Sequence, residues 1–428
     1  MTTQRVAFPK SGQMIACFSL VKCVAPLPSC QGWEDAMITS VLSVLTLSAM
    51  AQAVSLETEH FKDVTDLALP VGHVDGLTMD AHLFDPDADG DLDVLLAMEY
   101  RPNILLLNDG TGAFTDVSHS HLPPRTHDSE DIATGDFDGD GDLDAVSVSE
   151  DDQTNEFYRN TGNGVFESAP DMLPGTYITN GVASADLNSD GLPDLVLANI
   201  GQNRIWIATP TGFRDETDDR LPAFDDASQD AEFGDVDGDG DLDLIFGNED
   251  RNRLLISDGA GQFSDADTLP FDATRSSEVT READFGDVDG DGDLDLVFAN
   301  YAAPGQPPQP QDRLLINDGT GRFSDETGAR LPERADFSLD ADFVDLDRDG
   351  DLDLLVSTVP SSPSGSRWIA LRNDGSGHFT DDTETLLPAS AQGAGLDAEA
   401  GDLNGDGLTD LYLAARPGRD RVLIGQTP

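Results

Sequence analysis

The chain runs to 428 residues and carries 83 acidic against 24 basic side chains, a formal net charge of −59. A surface this negative repels nucleic acid and anionic membrane, which excludes polyanion binding. Its 38% hydrophobic content, gathered into short regular apolar runs, also excludes an acidic disordered chain.

Cys17, Cys23 and Cys30 all lie in the first 30 residues, so the remainder uses neither disulfides nor thiolate metal sites. Residues 36–50 form an apolar run followed by Ala51-Gln52-Ala53, which reads as an export signal with small-x-small cleavage after Ala53. Glu34 and Asp35 stand where such signals carry positive charge, and the nearest basic residue is Lys22. Leu27-Pro28-Ser29-Cys30 loosely resembles an acylation site, although Lys22 interrupts the apolar run before it. The run is also short for a membrane span. The expected division is a targeting region over 1–53 and one domain over 54–428, in a secreted, periplasmic or cell-surface protein.

From His60 onward the sequence repeats seven times. Acidic loops begin at Asp85, Asp136, Asp186, Asp235, Asp287, Asp345 and Asp402, and each runs straight into an apolar strand. Second strands are predicted over 104–107, 157–159, 204–207, 253–256, 313–316, 368–371 and 421–424. A turn follows most of them, often Asn-Asp-Gly as at Asn108-Asp109-Gly110, a strong hairpin signal. A third strand then centres on Phe114, Phe166, Phe213, Phe263, Phe323 or Phe379 and precedes a Leu-Pro pair. A final strand rich in alanine and glycine leads into the next loop.

Four short antiparallel strands per unit predict an all-β fold, a seven-bladed β-propeller of four-stranded blades. Parallel β-helices have much shorter repeats and helical solenoids lack these turns. The last unit stops after residue 425 without a phenylalanine strand, and the first begins with an orphan one at Phe61. The N-terminal strand is therefore expected to complete the last blade and close the ring, leaving no exposed sheet edges.

Within each loop, positions 1, 3 and 5 are Asp or Asn and position 9 is Asp. Position 6 is glycine in all seven loops, as a sharp turn demands. The candidate metal residues are Asp85, Asp87, Asp89, Asp91 and Asp93 in the first loop, and Asp136, Asp138, Asp140, Asp142 and Asp144 in the second. The third supplies Asp186, Asn188, Asp190, Leu192 and Asp194; the fourth supplies Asp235, Asp237, Asp239, Asp241 and Asp243. The fifth offers Asp287, Asp289, Asp291, Asp293 and Asp295, and the sixth Asp345, Asp347, Asp349, Asp351 and Asp353. The seventh has Asp402, Asn404, Asp406, Leu408 and Asp410. Clustered carboxylates suit Ca²⁺, which takes about six to eight oxygen ligands. Leucine at position 7 in two loops is consistent with a backbone carbonyl ligand there. These are not EF-hands, because position 12 holds Leu96 or Ser147 rather than a bidentate glutamate, and a strand follows instead of a helix.

The units resemble the FG-GAP/VCBS repeats of bacterial exported proteins and of the integrin α-subunit, from about Phe61 to the C-terminus. The resemblance implies a seven-bladed propeller with up to seven structural Ca²⁺ ions, one in the hairpin between the first two strands of each blade. It places a protein or glycan ligand on the face opposite those hairpins. Asn188 and Asn404 at position 3 should weaken their two sites.

Five residues before each loop stands another acid in six units: Asp80, Asp131, Asp230, Glu282, Asp340 and Asp397, with Gly181 the exception. Such acids either bond a neighbouring unit or line a cationic site. His119, His121 and His127 cluster beside Arg125, Asp128 and Glu130, as a transition-metal or acid–base site or a solvated loop. Counted from the strand before each loop, insertions at 304–312 and 360–367 lie between second and third strands and are candidates for recognition on the opposite face. No hydrolase, metalloprotease, phosphate-loop or dinucleotide motif is present. The expectation is an exported, monomeric calcium-bearing binding or adhesion module without membrane insertion. The alternatives are a polysaccharide lyase drawing on His82, His127, Arg281 or His378, and a structural part of an envelope assembly.

Overall fold

A computed structural model describes residues 60–72, 76–150, 153–266, 268–270, 278–302, 311–334, 336–359, 367–391, 393 and 395–427. The chain divides into Met1–Glu57 and Thr58–Pro428, and only the second unit carries described residues. The targeting region, the three cysteines and most of both insertions lie outside the described residues.

A short strand, β1 (Phe61–Asp63), precedes the first full repeat of β2 (Thr78–Phe84), β3 (Asp93–Met98), β4 (Ile104–Asn108) and β5 (Phe114–Asp116). The second repeat contains β6 (Ser129–Gly135), β7 (Asp144–Ser149), β8 (Glu156–Asn160) and β9 (Phe166–Ser168). The third holds β10 (Thr179–Ala185), β11 (Asp194–Gly201), β12 (Arg204–Ile207) and β13 (Arg214–Asp215). The fourth comprises β14 (Asp226–Gly234), β15 (Asp243–Asn248), β16 (Arg253–Ser257) and β17 (Phe263–Asp265). Next come β18 (Glu278–Gly286), β19 (Asp295–Ala302), β20 (Arg313–Asn317) and β21 (Phe323–Asp325). The sixth repeat is β22 (Ser338–Val344), β23 (Asp353–Thr358), β24 (Arg367–Asn373) and β25 (Phe379–Asp381). The last is β26 (Asp397–Gly401), β27 (Asp410–Ala414) and β28 (Arg421–Gly425).

All ladders are antiparallel, and most repeats form a four-stranded sheet in sequence order. β1 pairs with β28, Phe61 opposite Gly425, so the orphan strand does complete the last sheet. The closed seven-bladed propeller, however, is corrected. The sheets are open, each ending in edge strands, and the third and fourth repeats are not separate blades but one eight-stranded sheet. The cause is local. β11 runs on to Gly201 and β14 starts early at Asp226, so their overhanging backbones pair, Ile200 with Ala227 and Gly201 with Asp226.

Apolar cores lie between sheets. Leu195, Leu197 and Trp206 of the third repeat pack with Val146, Phe157 and Phe137 of the second. Similarly, Leu96 and Met98 of the first repeat share a core with Tyr412 and Val422 of the last. Each phenylalanine that opens the fourth strand is buried, Phe61 at 1% exposure and Phe379 at 4%, which is worth roughly 1.5–3 kcal/mol apiece.

Behind these phenylalanines sits a feature the strand reading missed, a one-turn helix such as Thr65–Ala68, Ser118–His121 or Thr327–Arg330. An aspartate two residues earlier accepts the first backbone N–H of that turn: Asp63 from Thr65 at 2.9 Å, and Asp325 from Thr327 at 3.1 Å. The same hydroxyls accept strand N–H groups, Val422 onto Thr65 and Leu314 onto Thr327, both at 3.1 Å. Each described turn ends at the leucine of a Leu-Pro pair, because a following proline forces it extended; Leu331 has φ −97° and ψ 146°.

Candidate metal centre

Positions 1 to 7 of every loop singled out from the sequence lie between the first and second strands of their repeat, and position 9 opens the second strand. In the first loop, Asp85 accepts the Gly90 N–H through Oδ2 at 3.0 Å, and Asp89 accepts the Asp91 N–H at 3.1 Å. The fourth loop repeats this, Asp235 accepting from Gly240 at 3.0 Å and Asp239 from Asp241 at 3.0 Å. The backbone thus fixes part of each carboxylate and leaves the rest facing its neighbours. Position 6 has φ of +98° at Gly90, the left-handed conformation glycine supplies. Position 4 adopts it too, even where it is Ala88 (φ 59°), Ser189 (φ 57°) or Arg348 (φ 65°). Non-glycine residues adopt this conformation uncommonly, and the loop's own aspartates hold it, as Asp345 Oδ1 accepts the Arg348 N–H at 2.7 Å.

The aspartate at position 9 is the first residue of the second strand and is fully buried, Asp144, Asp194, Asp353 and Asp410 at 0% exposure. Its Oδ1 accepts a backbone N–H from the end of the third strand, as from Asn108 to Asp93 at 2.7 Å and from Gly425 to Asp410 at 2.7 Å. In five loops its Oδ2 takes the N–H of position 2, for example Leu187 to Asp194 at 3.0 Å. The first two loops cannot do this. Position 2 is Pro86 in one, which has no N–H, and Phe137 in the other, whose N–H goes to Gly135. Asp93 Oδ2 and Asp144 Oδ2 are consequently buried without a hydrogen-bond partner. Burial raises these acids, Asp93 to about 8, Asp144 to about 7 and Asp194 to about 6.

Carboxylate oxygens of Asp85, Asp87 and Asp93 lie within 4.8 Å of one another, as do those of Asp136, Asp138 and Asp140, and of Asp235, Asp237 and Asp239. An oxygen-only donor set with orphaned buried oxygens fits a hard cation. Position 7 stands apart. The carboxylates of Asp91, Asp241, Asp293 and Asp351 lie against Gly110, Gly259, Gly319 and Gly375 in the adjoining hairpin turns, where a Cβ would collide with them. Those side chains brace a turn, and only the position 7 backbone remains for an ion.

The acids five residues before the loops are inter-repeat ties in three cases. Asp131 accepts the Val182 N–H at 2.6 Å, Asp230 that of Ala283 at 3.0 Å, and Asp397 that of Ala81 at 2.8 Å. A second set of ties went unread in the sequence, the Asn or Asp just before the third strand. Asn203 accepts the Asn199 N–H at 2.8 Å and donates to Ser228 of the next repeat at 2.9 Å, and Asn252 joins Asn248 and Thr280 in the same way. Its signal was available as a polar residue recurring one place before each third strand.

The possible catalytic residues are held separately. Burial draws His82 down to about 4, and its Nε2 lies 2.9 Å from Thr134 Oγ1. His127 pairs with Glu156 at 3.5 Å, Arg281 bonds Gln229, and His378 lies 3.2 Å from Ser376. His119 and His121 sit on the turn Ser118–His121, and His121 bonds Ser120 at 2.8 Å rather than His127.

A family profile for the FG-GAP-like repeat matches residues 85–147, 136–197, 186–246, 235–298, 287–356 and 359–413. Among solved structures, BBS1N in complex with ARL6DN resembles the chain with TM-scores of 0.51 and 0.53. The identities are 12% and 11%, over 86% of this chain and 97% of that one in both crystals. A lectin of Agrocybe aegerita, described as recognising non-reducing terminal N-acetylglucosamine, aligns at TM-score 0.49 and 17% identity over 80% of this chain and 87% of its own. Comparison with curated proteins finds no match. Among the described residues no helix is long and apolar enough to cross a membrane.

Proposed function

The chain belongs to the FG-GAP-like repeat family, and from that premise we propose that it is an exported, monomeric binding module. Its acidic loops hold structural calcium, and its partner is a protein or a glycan. The observation that carries this reading is the engagement of the loop carboxylates. They are fastened to their own backbone and to the end of the third strand, so an ion among them clamps three strands together and is not offered to a substrate.

In each site, positions 1, 3, 5 and 9 supply carboxylate or amide oxygens and position 7 its carbonyl. Calcium supplies charge neutralisation there. Modules of this kind bind Ca²⁺ with Kd near ~10⁻⁴–10⁻³ M, which suits an extracellular or periplasmic setting.

Recognition then falls to the other end of the strands, where the connections from second to third strand lie. Tyr100 and Ile200 are exposed there, at 55% and 45%. An exposed aromatic on a rigid sheet end is a common anchor for sugar or protein. The lyase reading is the weaker one, because His82, His127, Arg281 and His378 each have different partners.

A glycan panel assayed in calcium for binding and cleavage tests the proposal. Binding without cleavage, weakened by Tyr100→Ala, is the expected result; turnover of any glycan would replace the binding module with an enzyme.

A further inference from the structure

Away from the loops, three acidic side chains converge on two neighbouring first strands. Glu282 of β18 and Asp340 and Asp342 of β22 each bring a carboxylate oxygen within 4.8 Å of the others. Asp340 is 1% exposed. Neither of its oxygens has a hydrogen-bond partner, and Asp342 Oδ2 has none either. The equivalent acids Asp131, Asp230 and Asp397 each accept a backbone N–H from the next repeat. Asp340 stands at the same point of its strand and faces the Ala398 N–H of the next repeat, but closes no hydrogen bond with it.

A buried carboxylate with no donor is strongly disfavoured, and three together are disfavoured further by mutual repulsion. Arg281, the neighbour of Glu282 in sequence, bonds Gln229 instead. Glu282 also borders a cavity of about 150 Å³, shared with Asp80, Asp131, Asp230 and Asp397. That space is polar and large enough for several waters.

We propose that Glu282, Asp340 and Asp342 bind one calcium-sized divalent cation, at a site separate from the acidic loops. The donors are all oxygen, which selects a hard ion. Three carboxylates exceed the one or two that Mg²⁺ usually accepts, whereas Ca²⁺ takes about six to eight oxygens in flexible geometry. Cavity waters complete the shell. The ion would join the fifth and sixth repeats through their first strands, where Asp131, Asp230 and Asp397 use hydrogen bonds elsewhere. This inference does not depend on the loops binding calcium.

The test uses the full chain, stripped with chelator and dialysed against Ca²⁺, with bound ions counted by atomic emission. Asp340→Asn/Asp342→Asn should bind one ion fewer than the parent. Asp237→Asn/Asp239→Asn in the fourth loop should independently lose its own ion, and the combined variant should lose both. Without metal the Asp340→Asn/Asp342→Asn variant should melt higher than the parent, since repulsion is removed, yet gain less on adding Ca²⁺. Equal ion counts and equal calcium-induced shifts would overturn the site and leave the acids sharing protons. Should that variant fail to fold, parent crystals soaked in Mn²⁺ decide the matter: an anomalous peak among the three carboxylates supports the site, and its absence at millimolar Mn²⁺ refutes it.

Discussion

The side-chain amide of Asn108 donates a 2.7 Å hydrogen bond to the carbonyl of Leu403, 295 residues away. Leu403 is position 2 of the seventh acidic loop, and Asn108 opens a hairpin turn of the first repeat. The same relation joins Asn160 to Pro86, Asn317 to Val236 and Asn373 to Val288, each at 2.7 Å. Each of these loops is therefore held from outside by the turn of another repeat as well as from inside by its own aspartates.

Asn317→Ala should expose what that link is worth. It strips a donor from the carbonyls of Val236 and Leu294 and an acceptor from the Gly319 N–H. Leaving a buried carbonyl unsatisfied costs about 1–3 kcal/mol. Calorimetry should show a lower melting temperature, and calcium affinity at the Asp235–Asp243 loop should fall with it.

Chelation is expected to be severe. At free calcium about tenfold above Kd, each site contributes roughly 1.4 kcal/mol, and seven would sum to about 10 kcal/mol, comparable to the whole stability of a domain. A thermal melt with and without EDTA should differ by many degrees; a melt indifferent to EDTA contradicts structural calcium.

Within one loop the positions should divide. Asp87 shares its carboxylate cluster with Asp85 and Asp93, whereas Asp91 lies against Gly110. Asp87→Asn should weaken calcium binding at that loop about tenfold or more, and Asp91→Asn by no more than about twofold, because only the first removes ligand charge. Bound ions per chain at sub-saturating calcium distinguish the two.

For the chelated protein, acidity should stabilise. Burial raises Glu130 to about 8, Asp131 to about 7, Asp230 to about 7 and Glu232 to about 8. Their unfolded values lie near ~4. Between those limits the native state holds protons that the unfolded chain releases, so stability falls as pH rises through about 7–8. The EDTA-treated protein should melt higher at pH 5 than at pH 8. Calcium loading should reverse the order, because its ligands must be deprotonated.

The repeat, the strand order and the loop spacing were legible because each is written several times over: a buried phenylalanine, an Asn-Asp-Gly turn and five alternating acids in register. Sheet continuity was not legible. The β11–β14 joint is made by the backbones of Ile200 and Gly201 against Ala227 and Asp226, and backbone pairing of two overhangs leaves no side-chain pattern to read. The division of labour inside the loop was hidden for a related reason. Asp91 and Asp87 are the same residue type, and only the approach of Gly110 shows that one of them braces a turn. The Asp-x-Ser/Thr bracket behind each phenylalanine could have been found, since Asp63-Val64-Thr65 and Asp325-Glu326-Thr327 recur in step with the repeat.

The pairing of β1 with β28 has a temporal consequence. Thr65 receives the Val422 N–H across 357 residues of chain, so the seventh sheet cannot be assembled until the far end has been synthesised. Contacts of such long range are slow to form. The six full repeats can each draw on local hairpins, but the last waits for the first strand to return. Until then Phe61 and the edge of β28 stand uncovered, and the nascent protein spends its most vulnerable interval with its two ends apart.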